Sequence, residues 1–424
     1  MRPNIPTRDY RARYLAALSH PDYRTLWSAN LAAGAAAWAL IVARGWLVYD
    51  LSGSSLWVGL VTFAAMIPRV LVTPVSGYLS DRFDRRSVLA AMFALNVGHN
   101  LVLAILVVTD TVDIWHLVVL SLVNGSARAS QMPAGQALIP NLVPRRLLLN
   151  AIALNQVTVH GSRLLGPAAI APLLATTGVG GAFFLCTGFY LISLFQTLKI
   201  RTASTGIIQR GRGIVSNLAE GVVFVYRTPT LRAIMLLALF HCGLTMSFES
   251  LLPVLSREEL GAEGAGFSYL MMAVGGGALV SVLAVAGVVS EITRGRLFLY
   301  LGLLSGLTPA VLAMSSNMPM ALAGAAGMGA SQAGFMTLTH TMIQSITPDG
   351  IRGRVAGVYS VHIGGMMASA NLINGGLADM VSVPLLLLVA GAAFVAIMAL
   401  SWQRVTLRQI YNGGFRAEVH SAAD

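Results

Sequence analysis

The residues of this chain that could do chemistry are charged side chains set where charge is costly. Arg44, Arg69, Arg128 and Arg163 each interrupt a long apolar run, as do Glu249 and the histidines His99, His160, His241, His340 and His362. A charge inside a bilayer costs several kcal/mol on any scale, so each must face protein, water or a partner. Guanidinium groups gathered in such a place hold anions, and a desolvated carboxyl among them can exchange a proton near neutral pH. All four arginines lie in the first half of the chain, and Glu249 is their clearest acidic counterpart. One acid does not neutralise four arginines. Two readings stand side by side: a positively biased cavity suited to an anionic or polar ligand, or structural pairing with helix carbonyls or with Asp50 and Asp113. Arg44, nearest a span end, is expected to snorkel to the surface. Each histidine is expected to be a hydrogen-bonded packing residue before a proton carrier.

Motifs for other chemistries are missing. A phosphate-binding loop needs Gly-Lys-Ser/Thr, and the one lysine, Lys199, follows Leu198. There is no His-Glu-x-x-His or Cys-x-x-Cys spacing, so no metal, cofactor or enzymatic role is expected. Cys186 and Cys242 both sit in apolar runs and are too few for a disulfide framework.

The elements that must position these charges are membrane helices. The chain of 424 residues is 56% hydrophobic and 11% charged, with a mean hydropathy of +0.72. Apolar runs fall at about 27–49, 56–79, 87–109, 114–137, 151–174, 179–199, 231–254, 266–289, 297–314, 319–342, 355–377 and 383–402. Most have the ~20 residues needed to cross ~30 Å of hydrocarbon. The first begins near Trp27 and reads as an uncleaved helix. With alternating spans and the N-terminus inside, Arg257 is the one basic residue in an outside loop. That asymmetry outweighs a nucleic-acid reading of the +11 net charge and places both termini in the cytoplasm. Residues 200–230 form the longest connection, basic at Arg201, Arg210 and Arg212. Ile214, Leu218, Val222 and Val225 then share one face of an amphipathic helix expected to lie along the membrane surface.

A charged string, Gly77-Tyr78-Leu79-Ser80-Asp81-Arg82-Phe83-Asp84-Arg85-Arg86, separates the second and third runs. Only a water-filled loop tolerates it. A weaker copy, Gly287-Val288-Val289-Ser290-Glu291-Ile292-Thr293-Arg294-Gly295-Arg296, occupies the equivalent place in the second half, with Gly295 where Arg85 stands. Ala129-Ser130-Gln131 likewise recurs as Ala330-Ser331-Gln332. The chain therefore reads as an internal duplication of two six-helix bundles, residues 1–199 and 231–424, joined by the 200–230 linker.

The string from Gly77 to Arg86 resembles the loop signature of the major facilitator superfamily. Leu47-Val48-Tyr49-Asp50-Leu51-Ser52-Gly53-Ser54, Pro68, Pro74, Ala137 to Pro144, Asn150-Ala151 and Gly166-Pro167 resemble a narrower branch, the bacterial exporters that include enterobactin and macrolide efflux proteins. The resemblance implies an all-α membrane protein of twelve helices with a central cavity and alternating access. It also implies a latch of Gly77, Asp81, Arg82 and Arg86 in which Asp81 faces the start of span eleven near Val355. Glu291 and Arg296 form its counterpart, facing the start of span five near Asn150. Spans one, four, seven and ten would wall the cavity with Trp38, Gln131, Gln136, Phe240, Phe248, Gln332, Phe335 and Met336, beside Arg69, Arg128, Arg163 and Glu249.

The function expected is a monomeric, proton-coupled secondary exporter in a bacterial cytoplasmic membrane. Its cargo would be a bulky amphipathic molecule such as a siderophore, an antibiotic or a related metabolite. A multidrug exporter of lipophilic cations is the alternative, and a non-transporting membrane receptor or assembly factor the alternative of another class.

Overall fold

The computed structural model describes residues 15–72, 83–202, 204, 214–348 and 350–414. Its long elements are all helices: α1 (Pro21–Ser52), α2 (Ser55–Val72), α3 (Arg85–Val108), α4 (Ile114–Leu142), α5 (Leu148–Thr176) and α6 (Gly178–Lys199). A shorter α7 (Ile214–Arg227) leads to α8 (Pro229–Met246). A brief α9 (Leu252–Val254) runs into a π-turn segment, Leu255–Glu259. Then follow α10 (Gly264–Ala286), α11 (Glu291–Ala313), α12 (Met318–Ile346), α13 (Arg352–Ala378), α14 (Val383–Ser401) and the short α15 (Val405–Gly413).

Eight of these, α1, α2, α3, α6, α8, α10, α11 and α14, are long and apolar enough to cross a membrane. α4, α5, α12 and α13 are also long, at 29, 29, 29 and 27 residues. They carry Arg128 and Gln131, Asn155 and Arg163, Gln332, and Asn371 and Asn374, which dilute their hydropathy.

Packing divides the molecule into two ends. At one, a single core is shared by both halves, with Trp46, Leu47 and Val48 of α1 meeting Phe248, Leu252, Phe267 and Leu270. At the other, the cores are separate: one draws only on residues between Ala17 and Ile200, the other only on residues between Val225 and Tyr411. We refer to the sealed and the split end. The halves meet mainly through α2 against α13 and α5 against α10. The α5–α10 seam depends on Gly275, where an added Cβ would lie 2.5 Å from the Arg163 carbonyl oxygen. Pro167 lacks the N–H that would otherwise bond this carbonyl four residues on.

Two expectations are corrected here. The expected span at 231–254 is broken: α8 ends in a π-turn at Cys242–Met246, and residues 247–251 are unwound. Inside a membrane such a break survives only where other side chains satisfy its backbone. Gln332 donates to the Thr245 carbonyl (2.7 Å), Asn374 donates to the Ser247 carbonyl (2.6 Å), and Asn371 accepts from the Ser250 N–H (3.2 Å). The second correction concerns α7, whose apolar face turns to protein rather than to lipid. Val225 is wholly buried in the second-half core with Leu218 and Val222 packed against it. Glu220 pairs with Arg354, and Tyr226 bonds His362 at 3.1 Å.

Candidate functional site

A cleft of about 130 Å³ lies in the first half, walled by α1, α4 and α5. Arg128, Gln131 and Gln136 reach it from α4, Asn30 and Trp38 from α1, and Asn155, Thr158 and Ser162 from α5. These residues lie toward the split-end portions of their helices. The cleft is thus blind toward the shared core and mixes amides, hydroxyls and one indole, a surface that orients polar groups while holding an apolar body.

Near its blind end the arginines converge. The Arg163 guanidinium stacks over the Trp38 ring at 4.7 Å, a geometry that stabilises a desolvated cation. Glu249, in the unwound stretch after α8, is 6% exposed. It lies within electrostatic reach of Arg163, Arg128, Arg44 and Arg69. Four helices of the first half therefore aim positive charge at one carboxylate from the second. Among the described residues no guanidinium comes within ion-pair distance of that carboxylate. The like charges also bear on one another, Arg128 on both Arg44 and Arg69. With Glu249 ionised, the cluster still carries an excess of positive charge.

Asp50 and Asp113 do not relieve it. Asp50 pairs with Arg257 at 3.0 Å, and Asp113 caps α4 by accepting from the Trp115 N–H at 2.9 Å. Arg44 does not snorkel: it is 4% exposed, and its Nη1 is buried with no hydrogen-bond partner. Its helix position faces the interior of the first half, so its stem cannot lead the charge to water. Arg69 crosses between halves, its stem lying on Gly364 of α13.

Other expected site residues fall elsewhere. Phe335 is fully buried, stacked on Phe298 at 4.7 Å and close to His241 at 4.6 Å. It belongs to the second-half core and not to the cleft wall. Phe335→Ala is expected to destabilise the protein by about 3–5 kcal/mol and to leave the apparent affinity for cargo unchanged, read from thermal unfolding in detergent beside transport kinetics. Gln332 is 1% exposed and holds the α8 break by donating to the Thr245 carbonyl. Phe240 is exposed on α8, away from the cleft.

Of the latch residues, Gly77, Asp81 and Arg82 lie outside the described residues. Arg86 donates to the Ile200 carbonyl at 2.6 Å, tying its loop to its own half. Glu291 pairs with Arg294 on α11 at 2.9 Å, while the Asn150 side chain accepts from the Ala17 N–H. Glu291 and the start of α5 are thus engaged separately in this state, and Arg296 is exposed.

Sequence reasoning did not single out Asn155, Thr158 and Ser162. Their spacing of three and four along an otherwise apolar helix is the signal that marks them as one face. The buried pair Asn96 and Asn124, bonded at 2.7 Å between α3 and α4, was equally silent.

Long helices in two halves that share a core at one end and keep separate cores at the other, with a polar cleft in the first half, fit a multi-pass membrane transporter. A family model described as "Transmembrane secretion effector" matches residues 12–420, and the chain belongs to this family of major facilitator transporters. It is 26% identical to the multidrug efflux pump Tap of Mycolicibacterium fortuitum, over 87% of this chain and 94% of that protein. It is 28% identical to the enterobactin exporter EntS of Shigella boydii serotype 18, over 84% of this chain and 85% of that protein. Among solved structures, the nucleoside transporter NupG superposes with a TM-score of 0.73, at 9% identity, over 90% of this chain and 98% of that one.

Proposed function

We propose that the protein is a secondary active exporter energised by the proton-motive force, moving a bulky, amphipathic, anionic small molecule out of the bacterial cytoplasm. The observation that carries this reading is the excess positive charge around Glu249 at the blind end of a polar, Trp-bearing cleft. Twelve spans form two six-helix bundles, residues 1–199 and 231–424, joined by the 200–230 linker, and a monomer is sufficient. Both termini face the cytoplasm, so the split end opens inward and the sealed end faces out. Asp81 on α13, and Glu291 on α5, close the split end in the opposite state.

Glu249 is the carboxyl whose protonation sets the charge of the cluster: a proton on it removes the one negative charge, so anionic cargo binds more tightly as pH falls and cationic cargo more weakly. Proton and cation therefore exclude one another, the linkage that proton antiport needs, whereas export of an anion is driven by the membrane-potential part of the proton-motive force. An anion leaving a negative interior also gains ~2.3 kcal/mol per charge per 100 mV. The likeness to enterobactin and staphyloferrin A transporters favours such a cargo, and the likeness to Tap favours the second reading, export of lipophilic cations.

Uptake into inside-out vesicles separates them. Protonophore-sensitive uptake of a catecholate siderophore, with binding that tightens at lower pH, is expected. Uptake of a cationic dye alone, weakening at lower pH, would replace the anionic reading. Binding of either compound without movement would identify a receptor.

A further inference from the structure

The string Tyr49 to Ser54, singled out by its resemblance, has no part in the cleft. α1 ends at Ser52, and Gly53 turns the chain with φ +61, a conformation that favours glycine, into the start of α2. Ser54 stands at the N-cap of α2 yet makes no side-chain cap bond to its own helix. The cap comes from the other half. Asp379, the residue after α13, accepts the Ser55 N–H at 2.6 Å, the Leu56 N–H at 3.3 Å and the Ser54 hydroxyl. A carboxylate accepting several donors at a helix N-terminus combines charge-assisted hydrogen bonding with the favourable end of the helix dipole.

Two more contacts tie the same string across. The Tyr49 hydroxyl donates to Glu258 at 2.9 Å, and Arg257 pairs with Asp50 at 3.0 Å. The Arg257–Asp50 pair is about half-exposed on both sides, and such pairs are weak. The Asp379 cap, exposed at its carboxylate and part-buried at the Ser55 N–H, gathers three donors on one side chain, more than either of the other contacts. It also sits where the helices come closest: an added Cβ on Gly59 of α2 would lie 2.7 Å from the Asn371 carbonyl oxygen of α13.

α2 and α13 run antiparallel along this contact, so the C-terminal end of each lies beside the N-terminal end of the other. We propose that Asp379 is the outer latch of the transport cycle, capping α2 while the sealed end is shut and letting go when that end opens. It is a positioning residue: it touches no cargo and acts by setting which end is closed. The role in the cycle rests on the alternating-access reading above; the cap itself does not.

The test reads the conformation directly. Cys186 and Cys242 are replaced by alanine, and single cysteines are placed at Leu251, in the shared core, or at Val159, on the cleft wall. Maleimide labelling is followed in nanodiscs, where both faces are open to reagent. Replacing a helix cap by alanine shifts an equilibrium by about tenfold. Asp379→Ala is therefore expected to raise labelling at L251C by about that factor and to lower it at V159C, because the population moves to the opposite state. Asp379→Asn, which still caps but lacks the charge, is expected to fall between wild type and alanine. Ser54→Ala removes one of the three donors and gives a smaller shift of the same sign, which keeps the test available should Asp379→Ala fail to insert. Unchanged labelling at both positions in Asp379→Asn and Ser54→Ala overturns the latch. Shifted labelling in a protein that moves neither siderophore nor dye leaves the latch standing and removes the export reading.

Discussion

Glu249→Gln is expected to reduce protonophore-sensitive transport to background and to lower the stability of the inserted protein. Arg44, Arg69, Arg128 and Arg163 come from four helices of the first half, and Glu249 is the acid that bears on Arg163, Arg69 and Arg44 alike. Removing one member of a buried charged group costs about 3–5 kcal/mol, because the remaining charges lose their counter-charge and regain no water. Here the loss is shared by several guanidinium groups, one of which, Arg128, lines the cleft, and this places the expected cost at the lower end. The variant also deletes the site of proton exchange. Glu249→Asp keeps the charge one methylene shorter and is expected to restore part of the stability and part of the transport. Thermal unfolding in detergent and vesicle uptake of a catecholate siderophore separate the two effects. Full protonophore-sensitive uptake by Glu249→Gln would remove this carboxyl from the coupling mechanism.

The second large effect is steric. Gly275→Val is expected to lower transport at saturating cargo by at least about tenfold, equivalent to ~1.4 kcal/mol. A Cβ at Gly275 would sit 2.5 Å from the Arg163 oxygen, 2.6 Å from its carbonyl carbon and 2.8 Å from the Leu164 nitrogen. These are backbone atoms, so no rotamer change relieves the clash; α5 and α10 must part. Parting them breaks the bond from the Ser268 hydroxyl to the Pro167 carbonyl at 2.7 Å and displaces Arg163 from Trp38. The neighbouring residue supplies the control. At Gly276 an added Cβ meets only a Leu164 methyl at 3.9 Å, an ordinary contact, so Gly276→Ala is expected to transport like wild type. Equal activity of the two variants would mean that this seam does not close during transport.

What the sequence determined by itself follows from solvation. Charge is so costly in hydrocarbon that Arg128, Arg163 and Glu249 announce a built interior from their surroundings alone, and the charges Asp81, Arg82, Asp84, Arg85 and Arg86 announce water. The all-α membrane class and the family branch were legible as well, the first because hydropathy is a property of a segment in its own solvent. Polarity within a span also carried information, because α4 and α5, with Arg128, Gln131, Asn155 and Arg163, prove to be the cleft walls.

Tertiary structure decided which partner each polar group takes. Gln131 and Gln332 occupy matching tripeptides, yet one faces the cleft and the other bonds the Thr245 carbonyl, because the helix beside Gln332 is broken and in need of a donor. Phe335 and Trp38 are both aromatic residues in apolar spans; contact with Phe298 made one core, and contact with Arg163 made the other site. Asp379 reads locally as a loop acid and acts as the cap of a helix more than three hundred residues earlier. Periodicity and hydropathy are sums over neighbours along the chain. Hydrogen bonds and close backbone contacts are made with neighbours in space, and no local pattern encodes which of them will be there.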